Sequence, residues 1–204
     1  MEKLVRVDVD TQFGFCDEQQ GGLPVKGAFN ASSAAGLLNR ECQELGIPLI
    51  GSVDTHEPKD KEFKEQGGMW PPHCIKGLRD WNKMLWTLPE DFRFVTMGGS
   101  IPVDAFDKNR AGKTALYFEK NVYSIFDNYI AESYVMALDN WGFHKFEVYG
   151  VATDYCVKAA ALGIKKLLPN AKVRLLLSAC AGVGESTTNA AIEEMFAAGI
   201  EIVR

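Results

Sequence analysis

Short apolar and β-branched runs alternate along this chain with longer segments in which apolar residues recur at helical spacing. The short runs predict β-strands at 4–9, 48–54, 92–97, 114–120, 145–151, 172–179 and 200–203. The longer segments predict helices at 32–46, 130–142, 154–167 and 187–199. Such alternation is typical of βαβ units, so we predict an α/β protein: a three-layer, Rossmann-like fold with a mostly parallel central sheet flanked by helices.

The segment from about 55 to 90 interrupts this pattern, because Gly, Pro, Trp and charged residues are mixed there without periodicity. A chain of 204 residues is of ordinary length for one α/β domain, and no repeat or linker divides it. We therefore predict a single domain over residues 1–204. Long irregular insertions in compact domains tend to carry function, so the insertion at 55–90 is a candidate site.

The composition narrows the partners and the cellular setting. The net charge is −5 and there is no Lys/Arg run, which argues against nucleic acid or an anionic membrane as a partner. No segment approaches the roughly 18 apolar residues of a membrane span, and the charged start of the chain is typical of a first strand rather than a signal peptide. The five cysteines include no C-x-x-C pair, so we expect free thiols and a cytoplasmic location. The sequence leaves open a homo-oligomer.

Three chemically useful residues lie at predicted strand ends, where sites form in a parallel sheet: Asp10, Lys120 and Cys156. A thiol with a pKa of about 8.5 needs help to act as a nucleophile. The start of a helix and the Lys120 ammonium would both favour the thiolate, and Asp10 could act as general base and then as general acid. Backbone N–H groups at 152–156 could form an oxyanion hole.

Each member of this trio also has an ordinary structural interpretation, which spacing alone favours. A cysteine at a strand–helix junction is commonly buried filler, and an aspartate at a strand end is commonly a cap. A lone lysine is usually solvated. The trio therefore needs support from elsewhere in the chain.

A second group of candidates lies at the predicted strand 48–54 and in the insertion: Asp54, His56 and His73. Asp54 and His56 are two residues apart, so both side chains can face one way. Two imidazoles and a carboxylate suit one divalent metal ion, Zn²⁺, Fe²⁺ or Mn²⁺, with positions open for water or substrate. The alternative is a hydrogen bond between His56 and Asp54 with His73 at the surface. We expect His144 to be a helix cap or a surface residue.

Six segments, in order, resemble motifs of the isochorismatase-like cysteine hydrolases, and they cover nearly the whole chain: D-T-Q-F-G-F (10–15), G-G-L-P-V-K-G-A (21–28), D-T-H (54–56), W-P-P-H-C-I-K-G (70–77), F-E-K-N-V-Y-S-I-F (118–126) and G-V-A-T-D-Y-C-V (150–157). The resemblance implies a catalytic triad of Asp10, Lys120 and Cys156. It also implies a divalent metal on Asp54, His56 and His73.

The resemblance further implies a cis Val151–Ala152 peptide bond, with the N–H groups of Ala152 and Cys156 forming the oxyanion hole. Phe15 and Trp70 match positions that hold the substrate ring. For a fourth metal ligand the chain offers Glu65 or Glu62, and we prefer Glu65.

The metal motif is similar to that of the nicotinamidase branch of the family. It implies hydrolysis of nicotinamide, or of a close pyridine or pyrazine carboxamide, to the acid and ammonia through a thioester. Two alternatives remain at this point. One is a relative acting on another small amide or carbamoyl compound, and the other is a catalytically silent binding or scaffold member.

Overall fold

The computed structural model describes residues 3–99 and 103–204. Within them, seven strands form one sheet in the order β3-β4-β2-β1-β5-β6-β7, and every neighbouring pair runs parallel. The strands are β1 (Lys3–Val9), β2 (Leu49–Asp54), β3 (Phe92–Val95), β4 (Ala115–Lys120), β5 (Phe143–Val151), β6 (Lys172–Ala181) and β7 (Glu201–Val203). The α-helices are α1 (Phe13–Cys16), α2 (Ala28–Leu45), α3 (Tyr129–Asn140), α4 (Lys158–Leu167) and α5 (Glu185–Ala197).

The predicted fold class is confirmed; the short helix α1 was not predicted, and the other differences in strands and α-helices are at element boundaries. The helix predicted from residue 32 begins at Ala28, directly after Gly27. The φ of Gly27 is 82°, a left-handed conformation that separates the helix from the chain before it. Ser32 therefore lies inside α2 and donates to the Phe29 carbonyl instead of capping the helix. The helix predicted from residue 154 begins with a π-helical turn over Thr153–Val157, ahead of α4.

Helices cover both faces of the sheet. On one face, α3, α4 and α5 contribute Leu138, Ile164 and Met195 to a core shared with alternate valines of β1. On the other face, α2 packs through Ala35 against β5 and β6. No helix in the described parts of the chain is long and apolar enough to cross a membrane.

The strand order places a topological switch point at β1. Strands β2, β4 and β3 lie on one side of β1, and β5, β6 and β7 lie on its other side, so the direction in which strands are added reverses at β1. Ligands bind outside the carboxyl ends of the strands at such a point. The carboxyl ends of β1, β2, β4 and β5 carry Asp10, Asp54, Lys120 and the turn containing Cys156.

Candidate active site

The Lys120 ammonium is the centre of the polar cluster at the switch point. It lies 2.8 Å from Asp10 Oδ2, 3.0 Å from Asp54 Oδ1 and 3.5 Å from Cys156 Sγ. Its side chain is fully buried, which alone would lower the pKa of Lys120, but the two carboxylates raise that pKa well above its ordinary value. Lys120 is therefore a fixed positive charge that joins the two groups of candidates from the sequence.

Asp10 is held in an uncommon conformation. Its φ is 47°, in the left-handed region that aspartate tolerates better than most residues. Oδ1 accepts a 2.7 Å hydrogen bond from Ser52 Oγ, and Oδ2 has no hydrogen bond beyond its ion pair with Lys120 among the described residues. The Asp10 carboxylate is therefore fixed at one oxygen, and its other oxygen can take up a proton.

Cys156 lies in the π-helical turn and is 8% exposed. Burial raises the pKa of its thiol well above the ordinary value; Lys120 acts in the opposite direction, and Asp10 and Asp54 add to the increase. This differs from the expectation that the helix start and Lys120 favour a thiolate. The difference arises because desolvation and two nearby carboxylates outweigh one ammonium. The resting sulfur therefore keeps its proton until a base removes it.

The peptide bond between Val151 and Ala152 is cis, as the resemblance implies. Ala152 lies directly before the turn, and its carbonyl accepts hydrogen bonds from the N–H groups of Tyr155 and Val157. These bonds fix the backbone on either side of Cys156, so the sulfur and the N–H groups assigned to the oxyanion hole belong to one rigid turn.

Four side chains form a compact donor group beside Lys120: Asp54, His56, Glu62 and His73. One ligand atom from each lies within 4.8 Å of all the others. The Nε2 atoms of both histidines face Asp54 Oδ2, at 3.1 and 3.3 Å, and each lies 3.4 Å from Glu62 Oε1. Two imidazoles and two carboxylates at this spacing fit a divalent cation.

The preference for Glu65 is corrected by this geometry. Glu65 is exposed on the 3₁₀ turn Lys64–Gln66 and is not part of the donor group, whereas Glu62 is half-buried within it. Between them, Phe63 is 1% exposed and its ring packs 5.2 Å from that of His56. Phe63 thus anchors this part of the loop with Glu62 towards the cluster.

Both histidines are oriented by their second ring nitrogen. His56 Nδ1 lies 2.7 Å from Asp60 Oδ2, and His73 Nδ1 lies 2.8 Å from the Pro71 carbonyl oxygen. Such partners fix each ring so that Nε2 faces Asp54 and Glu62, where it could bind a metal ion. The pKa of His56 is raised to about 9: burial would lower it, but Asp54 and Asp60 outweigh burial.

A small cavity opens over the sulfur and the donor group. Its polar lining comes from Asp54, Glu62, His73 and Cys156, and its other walls are apolar or aromatic. The apolar and aromatic lining consists of Phe15, Leu23, Val25, Trp70, Tyr123, Ala152, Tyr155 and Val183. The flat aromatic walls and the few polar groups at one end suit a small aromatic molecule with one polar group.

Phe15 and Trp70, which the resemblance assigns to the substrate ring, both line this cavity. The Phe15 ring lies 5.5 Å from the His73 ring. The Trp70 indole donates a 3.1 Å hydrogen bond to the Tyr123 hydroxyl and packs edge-on against Tyr155. His144 is exposed and pairs with Asp139, away from the cavity lining.

Sequence reasoning missed several supporting residues, of which Gln12 is the clearest. Its side chain is fully buried; Nε2 donates to the carbonyls of Asp54 and Trp81, and Oε1 accepts from the Asp54 N–H. Gln12 thus fixes the backbone of a candidate metal ligand. Its place two residues after Asp10, in a motif that the resemblance used, was the available signal.

The comparisons with known proteins agree with this fold. A profile of the isochorismatase domain matches residues 5–204, so the chain belongs to the isochorismatase family. The nicotinamidase/pyrazinamidase of Mycobacterium tuberculosis (strain ATCC 25618 / H37Rv) is 28% identical over 213 aligned positions, covering 100% of this chain and 98% of that protein. The nicotinamidase of Escherichia coli K12 is also 28% identical, over 94% of this chain and 90% of that protein.

Among solved structures, the pyrazinamidase of Pyrococcus horikoshii in complex with zinc has a TM-score of 0.75 and 26% identity, with 99% of both chains covered.

Proposed function

We propose that this protein is a metal-dependent cysteine amidohydrolase that converts nicotinamide, or a close pyridine or pyrazine carboxamide, to the acid and ammonia. The observation that carries the proposal is the placement of Asp10, Lys120 and Cys156 within one cluster, below a small aromatic-walled cavity that also contains the metal-type donor group. The nicotinamidase and pyrazinamidase relatives support it, and the profile match over 5–204 supports one catalytic domain.

In this proposal the first step forms the bond from Cys156 Sγ to the amide carbon. Asp10 Oδ2 takes the thiol proton, as the raised pKa of Cys156 requires. The developing oxyanion is accepted by the backbone N–H groups of Ala152 and Cys156. Asp10 then returns the proton to the leaving nitrogen, so that ammonia departs and a thioester remains for hydrolysis by water.

Lys120 balances the charge of this exchange. Lys120 faces the charged Asp10 carboxylate before the proton moves, and it faces the developing thiolate while the proton moves. Once the bond to carbon has formed, the negative charge lies on the oxyanion, and Lys120 remains paired with the Asp54 carboxylate 3.0 Å away. Asp54, His56, Glu62 and His73 are the residues that would hold the metal. When bound, a divalent cation would supply a Lewis acid that holds an aromatic nitrogen of the substrate.

We also propose a cytoplasmic setting, supported by five free cysteines.

Ammonia release from nicotinamide by the purified protein, replete with Zn²⁺ or Mn²⁺, tests the proposal. Cys156→Ala should abolish release while the fold and the bound metal are retained, and Cys42→Ala, which removes another buried cysteine, should leave turnover intact. Turnover retained in Cys156→Ala would contradict the nucleophile. Faster turnover of a non-aromatic amide than of nicotinamide and pyrazinamide would favour another small amide as the substrate.

A further inference from the structure

A second buried charge pair, Asp8 and Lys83, lies next to the candidate active site and has no place in the proposed chemistry. Lys83 Nζ is 3.1 Å from Asp8 Oδ2, and both side chains are fully buried. Asp8 belongs to β1, two residues before Asp10, and Lys83 belongs to the insertion. A buried pair is weak evidence for stability, so its role has to be sought in what it holds.

Thr11 connects this pair to the active site. Its hydroxyl donates a 2.8 Å hydrogen bond to Asp8 Oδ1 and accepts one of 2.8 Å from Lys83 Nζ. Its carbonyl accepts a 2.8 Å hydrogen bond from the Met84 N–H. Thr11 is therefore held at both its side chain and its backbone, and it is the residue that follows Asp10.

The Lys83 ammonium has three neighbours that favour its charge. Besides Asp8 and Thr11, the ammonium lies 4.4 Å from the centre of the Tyr117 ring, within the range of a cation–π contact. Both Asp8 oxygens accept a hydrogen bond, because Thr11 donates to Oδ1 and Asn39 Nδ2 donates to Oδ2, each at 2.8 Å. A buried network with these partners on both charges has little freedom to rearrange.

Asp10 needs such an anchor because L-residues rarely adopt its φ of 47°. On its N-terminal side the conformation is held by β1, and the Asp10 N–H donates to the Ser52 carbonyl. On its C-terminal side the Asp10 carbonyl accepts a 2.7 Å hydrogen bond from the Gln12 N–H, and the next side chain, that of Thr11, is held through its hydroxyl. A rotation of the backbone there would move Asp10 Oδ2 away from Lys120 and Cys156.

We propose that Lys83 and Asp8 act through Thr11 as positioning residues for the Asp10 carboxylate. The proposal rests on the proposed function for its activity assay. It predicts a selective loss of kcat, because neither Thr11 nor Lys83 lines the cavity. Misplacement of a reacting group by about 1 Å costs on the order of 100-fold in rate.

The central comparison is Thr11→Val with Thr11→Ser, in the metal-replete protein. Val keeps the shape and removes the hydroxyl, so we expect kcat to fall roughly 10- to 100-fold with KM and metal content unchanged. Thr11→Ser keeps the hydroxyl, so its kcat should stay within about threefold of that of the parent protein. Tyr149→Phe is the control, because it removes a hydrogen bond to Asn39 from the same network without touching Thr11.

If Thr11→Val fails to fold, the double variant Asp8→Leu/Lys83→Met takes its place, since apolar replacement of both members of a buried pair is commonly tolerated. It should fold and lose kcat. Equal losses of kcat in the Thr11→Val and Tyr149→Phe variants, or no loss in a folded Thr11→Val or double variant, would overturn the proposal.

A second assay separates this proposal from the proposed function. Alkylation of Cys156 by iodoacetamide, followed by mass spectrometry, needs a proton acceptor beside the sulfur but no turnover. If the parent protein released no ammonia from nicotinamide, slower alkylation of Thr11→Val than of Thr11→Ser would still support positioning. Equal alkylation rates would overturn it.

Discussion

Metal binding should release a proton from His56, and the pKa of His56 should determine how the metal affinity depends on pH. In the metal-free protein the pKa of His56 is raised to about 9 by Asp54 and Asp60, against the effect of burial. At pH 7 all but about one molecule in 100 therefore carries a proton on His56. A metal can use Nε2 only after that proton has left, so binding at pH 7 should release about one proton from this residue.

The cost follows from the same pKa. Displacing a proton held two pH units above the working pH costs about 2.7 kcal/mol, or about 100-fold in apparent affinity. The apparent Kd should therefore tighten about tenfold between pH 7 and pH 8, and the gain should level off as the pH passes about 9.

The folding stability of the metal-free protein should change with pH in the opposite direction: it should fall as the pH rises. The raised folded-state pKa makes His56 stabilising below its unfolded value of 6.5, and this contribution, roughly 3 kcal/mol, is lost as the pH rises to about 9.

Isothermal titration of chelator-stripped protein with Mn²⁺, in pairs of buffers with different ionisation enthalpies, measures both the affinity and the proton release. His144→Gln is the matched control, because His144 also lies 2.7 Å from a carboxylate, that of Asp139, but is exposed and outside the donor group. It should change neither quantity. A buffer-independent binding enthalpy at pH 7, or an affinity that does not change between pH 7 and pH 8, would refute the reasoning.

Three further predictions concern the donor group, the cavity wall and the sheet. Glu62→Gln should weaken metal binding at least about tenfold by titration, whereas Glu65→Gln, in the same loop but outside the cluster, should not. Tyr123→Phe removes the acceptor of the Trp70 indole bond and should raise KM about two- to tenfold with kcat unchanged; unchanged KM would show that the bond does not shape the cavity. Gly150→Ala should lower the free energy of unfolding in urea by about 3 kcal/mol or more, because φ is 122° and the new Cβ would lie 2.0 Å from a carbonyl oxygen of β1. Gly27→Ala, also at positive φ but with open space around it, should cost clearly less.

The sequence pattern predicted the sheet well because β1 alternates valine with polar residues and β4 opens on the apolar run A-L-Y-F, and both patterns are typical of strands. It predicted the start of α2 poorly because the Ser at residue 32 looks like a cap. The actual start depends on the left-handed Gly27 and on burial of Ala28, which periodicity does not encode.

The sequence predicted those residues of the candidate site that lie at the ends of strands. Asp10, Asp54 and Lys120 are each the last or next residue of a strand, so their convergence follows from parallel topology. Gln12 and Asp60 could not be assigned in the same way. Their roles depend on contacts of a turn and an irregular loop, where no period relates residue spacing to direction.

The choice between Glu62 and Glu65 shows where such reasoning stops. Both are glutamates in one charged loop, three residues apart, and on a regular helix they would share a face. The loop has no helix there until Lys64, so this relation does not hold. What separates them is Phe63, whose burial against the His56 ring fixes the chain so that Glu62 faces the histidines and Glu65 follows in the exposed 3₁₀ turn. The apolar Phe63 beside the two glutamates was thus a better signal than their spacing. It indicates which of the two carboxylates faces the candidate metal site.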